Sequence, residues 1–260
     1  MHSIDSIKPK GRHFFTLKLG DGRTHVIHED TVFKHGLLRL RELSSSTLEA
    51  ALTDDAYHTL MHRALNKLAM RDYARKGLAQ VLKDYATNGQ VIAQVLDTLE
   101  HQGYIDDEKV INRLVKEASE FGDKGPKRLR DDFLKDGFDA HAIEDALVVF
   151  TEEKQRAIVA RLIDKHMPTL FKDPQAKKRQ KLMQLLYRKG FEPTQFEPLI
   201  NEALRSDSTD ETALLQRRLE KLKRSHDTGD YESKRKLIQK LMREGFAYGE
   251  IIRALEGETL

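Results

Sequence analysis

The chain has 260 residues, 39% hydrophobic and 33% charged, with mean hydropathy −0.61, a balance too polar for one thick core buried on every side. A formal net charge of +3 excludes a bulk polycation, and the lack of cysteine excludes disulfides, thiolate metal sites and a thiol nucleophile. Met1 to Lys10 has no apolar run that could serve as a signal peptide, and no window approaches the roughly 20 apolar residues of a membrane span, so a cytoplasmic protein without membrane contact is expected.

Residues 13–28 alternate like a strand pair: Phe15, Leu17 and Leu19 share parity, Gly20-Asp21-Gly22 supplies a tight turn, and Val26 and Ile27 lie in the return strand. From Glu29 the spacing turns helical through Val32, Phe33, Leu37 and Leu40. A lone hairpin is marginal in water, so it is expected to dock on the first helices, with residues 2–7 as a third strand.

The phrases LKDGF, YRKGF and MREGF then recur, and their glycines, Gly137, Gly190 and Gly245, stand 53 and 55 residues apart. Ala86 stands 51 residues before the first. Around each anchor the apolar residues agree. Eight before it are Leu78, Leu129, Leu182 and Leu237; four before it are Leu82, Phe133, Leu186 and Leu241. Six after it are Ile92, Ile143, Phe196 and Ile251; ten after it are Leu96, Leu147, Ile200 and Leu255. These spacings place them on one face of each of two helices. Gly-Phe reads as a helix stop in which glycine takes positive φ and the phenylalanine packs back on the last turn. Ala86-Thr87 lacks that pair, so the first turn is expected at Asn88-Gly89.

A third helix is expected before each pair, at about 54–69, 107–121, 152–166 and 210–225. Ser208 with Glu211 has the spacing of a capping box, and Asp173-Pro174 reads as an N-cap followed by proline at the first helical position. The fold expected is all-α: an elongated, curved array of tandem three-helix repeats behind a small N-terminal β-hairpin segment. Its parts are residues 1–50 (hairpin and short helix) and repeats at 51–104, 105–150, 151–205 and 206–260.

A polar periodicity overlies the apolar one. Just before the leucine at −8 lies a basic cluster in each repeat: Arg75 and Lys76; Lys124, Lys127 and Arg128; Lys177, Lys178, Arg179 and Lys181; Lys234, Arg235 and Lys236. These cations begin the middle helices, where the macrodipole disfavours them, with no evident gain in stability. They are either ordinary solvated helix faces paired with nearby acids or a ladder of positive charge suited to phosphates or an acidic protein groove. Counting Lys and Arg against Asp and Glu, residues 105–150 carry 8 against 12 and residues 151–205 carry 12 against 7, so charge alternates by segment and forms no basic tail.

Other chemistry is thinly represented. His58 and His62 are spaced i, i+4, and His25 and His28 flank the second strand, but neither pair has a third ligand at a metal-site spacing. Asp54-Asp55, Asp106-Asp107 and Asp131-Asp132 read as helix starts and solvated faces. Aromatics are few and not interleaved with the basic clusters, which gives little support to base stacking. No P-loop, dinucleotide-binding glycine pattern or nucleophile elbow is present; no catalytic site, cofactor or metal is expected.

The phrase Gly103-Tyr104-Ile105-Asp106-Asp107 resembles the G-Y-[LI]-D-D signature of the RecX family, regulators of the bacterial recombinase RecA. Ala64-Leu65, then Leu78 and Leu82, then the L-x-x-x-G-Y beginning at Leu99, fall in the order found there, and the later L-x-x-x-G-F units resemble the family's three-helix modules. The resemblance covers about residues 55–256, and departs where Ala86-Thr87 replaces Gly-Phe and where Val110-Ile111 stands in place of Phe-Ala. It implies a non-enzymatic monomer that lodges in the groove of the RecA–single-stranded-DNA filament and restrains ATP hydrolysis, strand exchange and filament growth, with direct DNA contact possible. The residues alone also leave open a general nucleic-acid-binding helical repeat or a protein-interaction scaffold.

Overall fold

The computed structural model describes residues 1–223 and 231–257. Strands β1 (His2–Pro9), β2 (Phe14–Leu19), β3 (Thr24–His28) and β4 (Glu42–Leu43) form an antiparallel sheet in the order β3-β2-β1-β4. The predicted hairpin is β2–β3, in register Phe15 to Ile27 and Leu17 to His25, and its turn uses the positive φ of Gly22. The expected third strand is β1; β4 has only two residues, too few to leave a periodic signal. Leu17, Leu19 and Ile27 point from the sheet into a core with Val32, Leu37, Leu43 and Leu48. Phe33 and Leu40, grouped with them by helical spacing, are 63% and 40% exposed: Phe33 lies on the outer side of helix α1 (Glu29–Lys34), and Leu40 lies beyond its end.

The chain divides into two compact units, one of Met1–Arg113 with Asp132–Ile143 and one of Leu114–Asp131 with Glu144–Leu260. In the first unit, α2 (Ser45–Leu68) is followed by α3 (Arg75–Leu82) and α4 (Gly89–His101). Helix α2 starts well before residue 54, because the Ser44 hydroxyl accepts from the Thr47 amide and caps it there. Its first turns close the sheet core through Leu48 and Leu52, and its later turns pack Leu60 and Ala64 against Leu78, Leu82, Val95 and Leu99. The expected boundary at residue 50 therefore falls inside one helix.

Helices α5 (Asp107–Phe121), α6 (Pro126–Asp136) and α7 (Ala140–Leu147) each contribute residues to both units. The second unit continues with α8 (Glu152–His166), α9 (Gln175–Lys189) and α10 (Glu197–Arg205), then α11 (Glu211–Lys223), α12 (Tyr231–Glu244) and α13 (Tyr248–Glu256). Every apolar position aligned to the anchors is buried except Leu255, which is half-buried. Burying each leucine or phenylalanine side chain is worth about 1.5–3 kcal/mol, so this repeated face is the main source of cohesion.

The three Gly-Phe turns are Schellman motifs. Phe138, Phe191 and Phe246 donate their amides to the carbonyls of Phe133, Leu186 and Leu241 at 3.1, 3.0 and 3.2 Å. The glycines, at φ 91°, 87° and 105°, donate to the carbonyls three residues back. Tyr104 and Gly103 make the same pair of bonds at the end of α4. At Ala86 there is no such turn: α3 stops at Leu82, and Asn88 caps the start of α4 by accepting from the Gln90 amide. Two further start signals shift. Pro174 itself is the N-cap of α9, and Asp210, not Ser208, caps α11 by accepting from the Ala213 amide.

Candidate interaction surface: the basic helix starts

The middle helices α3, α6, α9 and α12 begin where the basic clusters lie. At three of these starts the close approach is to the glycine turn that ends the next middle helix. A Cβ on Gly137 would overlap the backbone of Gly77 in α3, and one on Gly190 would overlap the Arg128 amide in α6. Gly245 abuts Lys177 in α9, and a Cβ there would lie 3.2 Å from its amide nitrogen. Gly125 and Lys127 donate their amides to the carbonyls of Lys189 and Gly190 at 2.7 and 3.2 Å. The clusters at α3, α6 and α9 are thus at helix N-termini that are also beside helix C-termini. The negative end of the neighbouring dipole offsets the cost expected for cations there.

Part of each cluster is engaged within the fold. Arg75 and Arg179 each stand eleven residues before their anchor, and each reaches the third helix of its own repeat. Arg75 binds Asp97 and Glu100 at 2.6 and 2.7 Å; Arg179 binds Asn201, and Glu197 at 3.2 Å. Lys127 pairs with Glu192 at 2.6 Å, Lys181 with Asp173 at 2.6 Å, and Lys236 with Glu232 at 2.9 Å one turn earlier. The hydrogen bond from Lys127 holds the Glu192 carboxyl below its usual range. Lys177 donates to the Gln180 side chain.

Lys178 is misplaced in the surface set. Its side chain is 1% exposed, and Nζ donates to the Asp207 carboxylate and to Thr209 at 2.7 Å. It sits on the same helical face as Leu182, which local sequence cannot distinguish from an adjacent solvated face. Of the remaining eleven, Lys76, Lys124, Lys127, Arg128, Arg235 and Lys236 are exposed, and Arg75, Lys177, Arg179, Lys181 and Lys234 are half-buried.

The G-Y-I-D-D phrase has a physical reading in the first unit. Gly103 and Tyr104 stop α4, and Ile105 is buried in the core of α2–α4. Asp106 caps α5 by accepting from the Lys109 amide at 2.9 Å. Asp107 accepts the Arg75 amide at 2.7 Å and so caps α3; burial pushes its carboxyl above the usual range. Glu211 does the same for α9, accepting the Gln175 amide at 3.0 Å. Asp106-Asp107 and Glu211 were legible as helix starts, but not as caps for a second helix.

Sequence reasoning also missed a histidine cluster. His13, just before β2, His28, at the end of β3, and His58 and His62, from α2, form a cluster whose neighbouring rings have centroids 4.9–6.3 Å apart, with Phe14 packed edge-on against His28 and His62. The i, i+4 spacing of His58 and His62 and the place of His28 at the second strand hinted at it, but nothing local joined the two pairs or brought in His13. Among the described residues no group of three or more His, Asp or Glu side chains is placed to hold a metal ion. Among the same residues no helix is long and apolar enough to cross a membrane.

No family model matches the chain. It is 28% identical over 250 residues to a Streptococcus thermophilus protein described as regulatory protein RecX, covering 95% of this chain and 96% of that one. A Staphylococcus carnosus protein of the same description is 29% identical over 253 residues, with 94% and 92% covered. A crystal structure of regulatory protein RecX superposes with TM-score 0.56 at 24% identity, covering 77% of this chain and all of that one. RecX from Lactobacillus salivarius superposes with TM-score 0.51 at 26% identity, covering 58% and 97%. The chain is a homologue of the RecX regulatory proteins along about 95% of its length.

Proposed function

We propose that this chain is a non-enzymatic regulator of the RecA recombinase that binds in the groove of the RecA–single-stranded-DNA filament and restrains ATP hydrolysis, strand exchange and filament growth. The observation that carries the reading is near-full-length similarity to proteins described as regulatory protein RecX. The absence of a recognisable catalytic motif in the sequence agrees with it. In this reading the chain acts as a cytoplasmic monomer, and the four repeats at 51–104, 105–150, 151–205 and 206–260 each offer a weak contact. Linked contacts add through effective concentration, so none needs to be strong alone. Lys76, Lys124, Lys127, Arg128, Arg235 and Lys236, the exposed members of the basic clusters, are the positions assigned to acidic RecA surface.

The test is the ATPase of RecA on single-stranded DNA titrated with this protein, alongside co-sedimentation with the filament. Inhibition that saturates with filament occupancy is expected. No inhibition and no co-sedimentation at micromolar protein would overturn the reading.

A further inference from the structure

We infer that an open cleft of about 850 Å³ in the second unit, between the α8–α9 connection and helices α11 and α12, binds a single strand of DNA directly. This deepens the proposed function by naming the strand as a partner, contacted at a cleft that shares only Lys177 with the basic helix starts, and its test needs no RecA. The argument rests on which charges are already engaged. Three carboxylates line the cleft, and each has a bonding role: Asp173 pairs with Lys181, Glu244 holds Arg218 by two hydrogen bonds of 2.5 and 2.6 Å, and Asp210 caps α11. The cations are left over. Lys172, Arg217, Lys221 and Arg243 are exposed on the lining and have no carboxylate partner among the described residues. They come from three elements, so the positive charge surrounds the cleft instead of running along one helix.

An acidic peptide would satisfy that charge, but a second feature favours a nucleic-acid strand. Phe171 stands at the cleft with 58% of its surface exposed, and the Lys172 ammonium lies 5.1 Å from its ring centroid. An exposed aromatic beside unpaired cations is the arrangement on which an unpaired base stacks while its phosphates are neutralised. A duplex offers Phe171 no open base face, so the strand is single.

The experiment is fluorescence anisotropy of a labelled 30-nucleotide oligo-dT with the full chain, over a series of salt concentrations. Binding is expected, with affinity falling as salt rises. Arg217→Gln/Lys221→Gln/Arg243→Gln, which keeps the bulk of each side chain, is expected to weaken binding at least tenfold and to flatten the slope of log affinity against log salt by about 2, from roughly 0.7 per phosphate contact on a single strand. Phe171→Ala is expected to cost about fivefold or more without changing that slope. Circular dichroism of each variant reports whether the fold is intact; should the triple variant lose helicity, Phe171→Ala and the single Arg217→Gln variant carry the test. Wild-type binding in these variants, or no binding by the wild type, overturns the inference. So does equal displacement of oligo-dT by polyglutamate at the same charge concentration, which would identify an acidic peptide as the occupant. RecA ATPase inhibition by a wild type that ignores oligo-dT would leave the proposed function standing and sink only this cleft.

Discussion

Lys178 shows how one residue can change category between sequence and structure. Its cluster reads as a solvated helix start, yet its ammonium is enclosed with Asp207 and Thr209. Burial pushes the Asp207 carboxyl up, and the bonds from Lys178 and Thr209 outweigh that, leaving it below the usual range. Removing one partner of a buried pair strands the other, so Lys178→Met is expected to cost about 3–5 kcal/mol in urea unfolding. Adding Asp207→Leu should recover most of the loss, and a double variant as unstable as the single one would show that the pair is not the cause. The histidines give a second residue-scale expectation. Burial holds His28 and His62 below the ordinary histidine value, against the pull of Glu29 and Asp30, with His13, His58 and Arg63 as further charged or titratable neighbours. Because the unfolded chain then binds more protons, stability is full above about pH 6.5 and declines below it. Hydrogen exchange of β2 and β3 should therefore be faster relative to intrinsic rates at pH 5.5 than at 7.5, and His62→Gln should shrink the difference. Equal protection in the wild type at both values would remove the cluster as a source of pH dependence.

At the scale of elements, the glycine turns do two things that can be separated. Gly190 and Gly257 have nearly the same positive φ, 87° and 80°. Among the described residues nothing lies within 4 Å of a Cβ added to Gly257, whereas one on Gly190 would overlap the Arg128 amide and side chain. Gly257→Ala is thus expected to cost about 1 kcal/mol, the price of φ alone. Gly190→Ala should cost at least twice as much, since α6 must withdraw from the turn; similar melting temperatures for the two would show the close approach to be incidental. The turns themselves were legible because Gly-Phe has a local mechanism, a backbone conformation and a side chain packing on its own helix. Their second role was not, because it depends on a helix 60 to 68 residues away in sequence, the separations of Gly137 from Gly77 and of Gly245 from Lys177. The same division explains the start of α2: Ser44 is one of three consecutive serines, and nothing local singles out the one that caps.

For the whole molecule, the apolar periodicity was readable because burial imposes the same spacing on every repeat, while the polar periodicity merged two roles. Arg75 and Arg179 stand at the same place before their anchors, and each clamps the third helix of its own repeat, a role within the fold. Lys76, Arg235 and Lys236 are exposed, and the one acid held by Lys236 is a solvated neighbour worth about half a kcal/mol. These two subsets should respond differently. Lys76→Glu/Arg235→Glu/Lys236→Glu is expected to leave helicity and melting temperature almost unchanged while raising the concentration for half-inhibition of RecA ATPase tenfold or more. Arg75→Ala/Arg179→Ala should lower the melting temperature and affect inhibition only in proportion to the folded fraction. If the exposed triple variant inhibits like the wild type, the recurring charge is a relic of duplication and the filament is met by another face. If the clamp variant loses inhibition while still folded, the arginines also act at the surface, and the separation drawn between the two subsets fails.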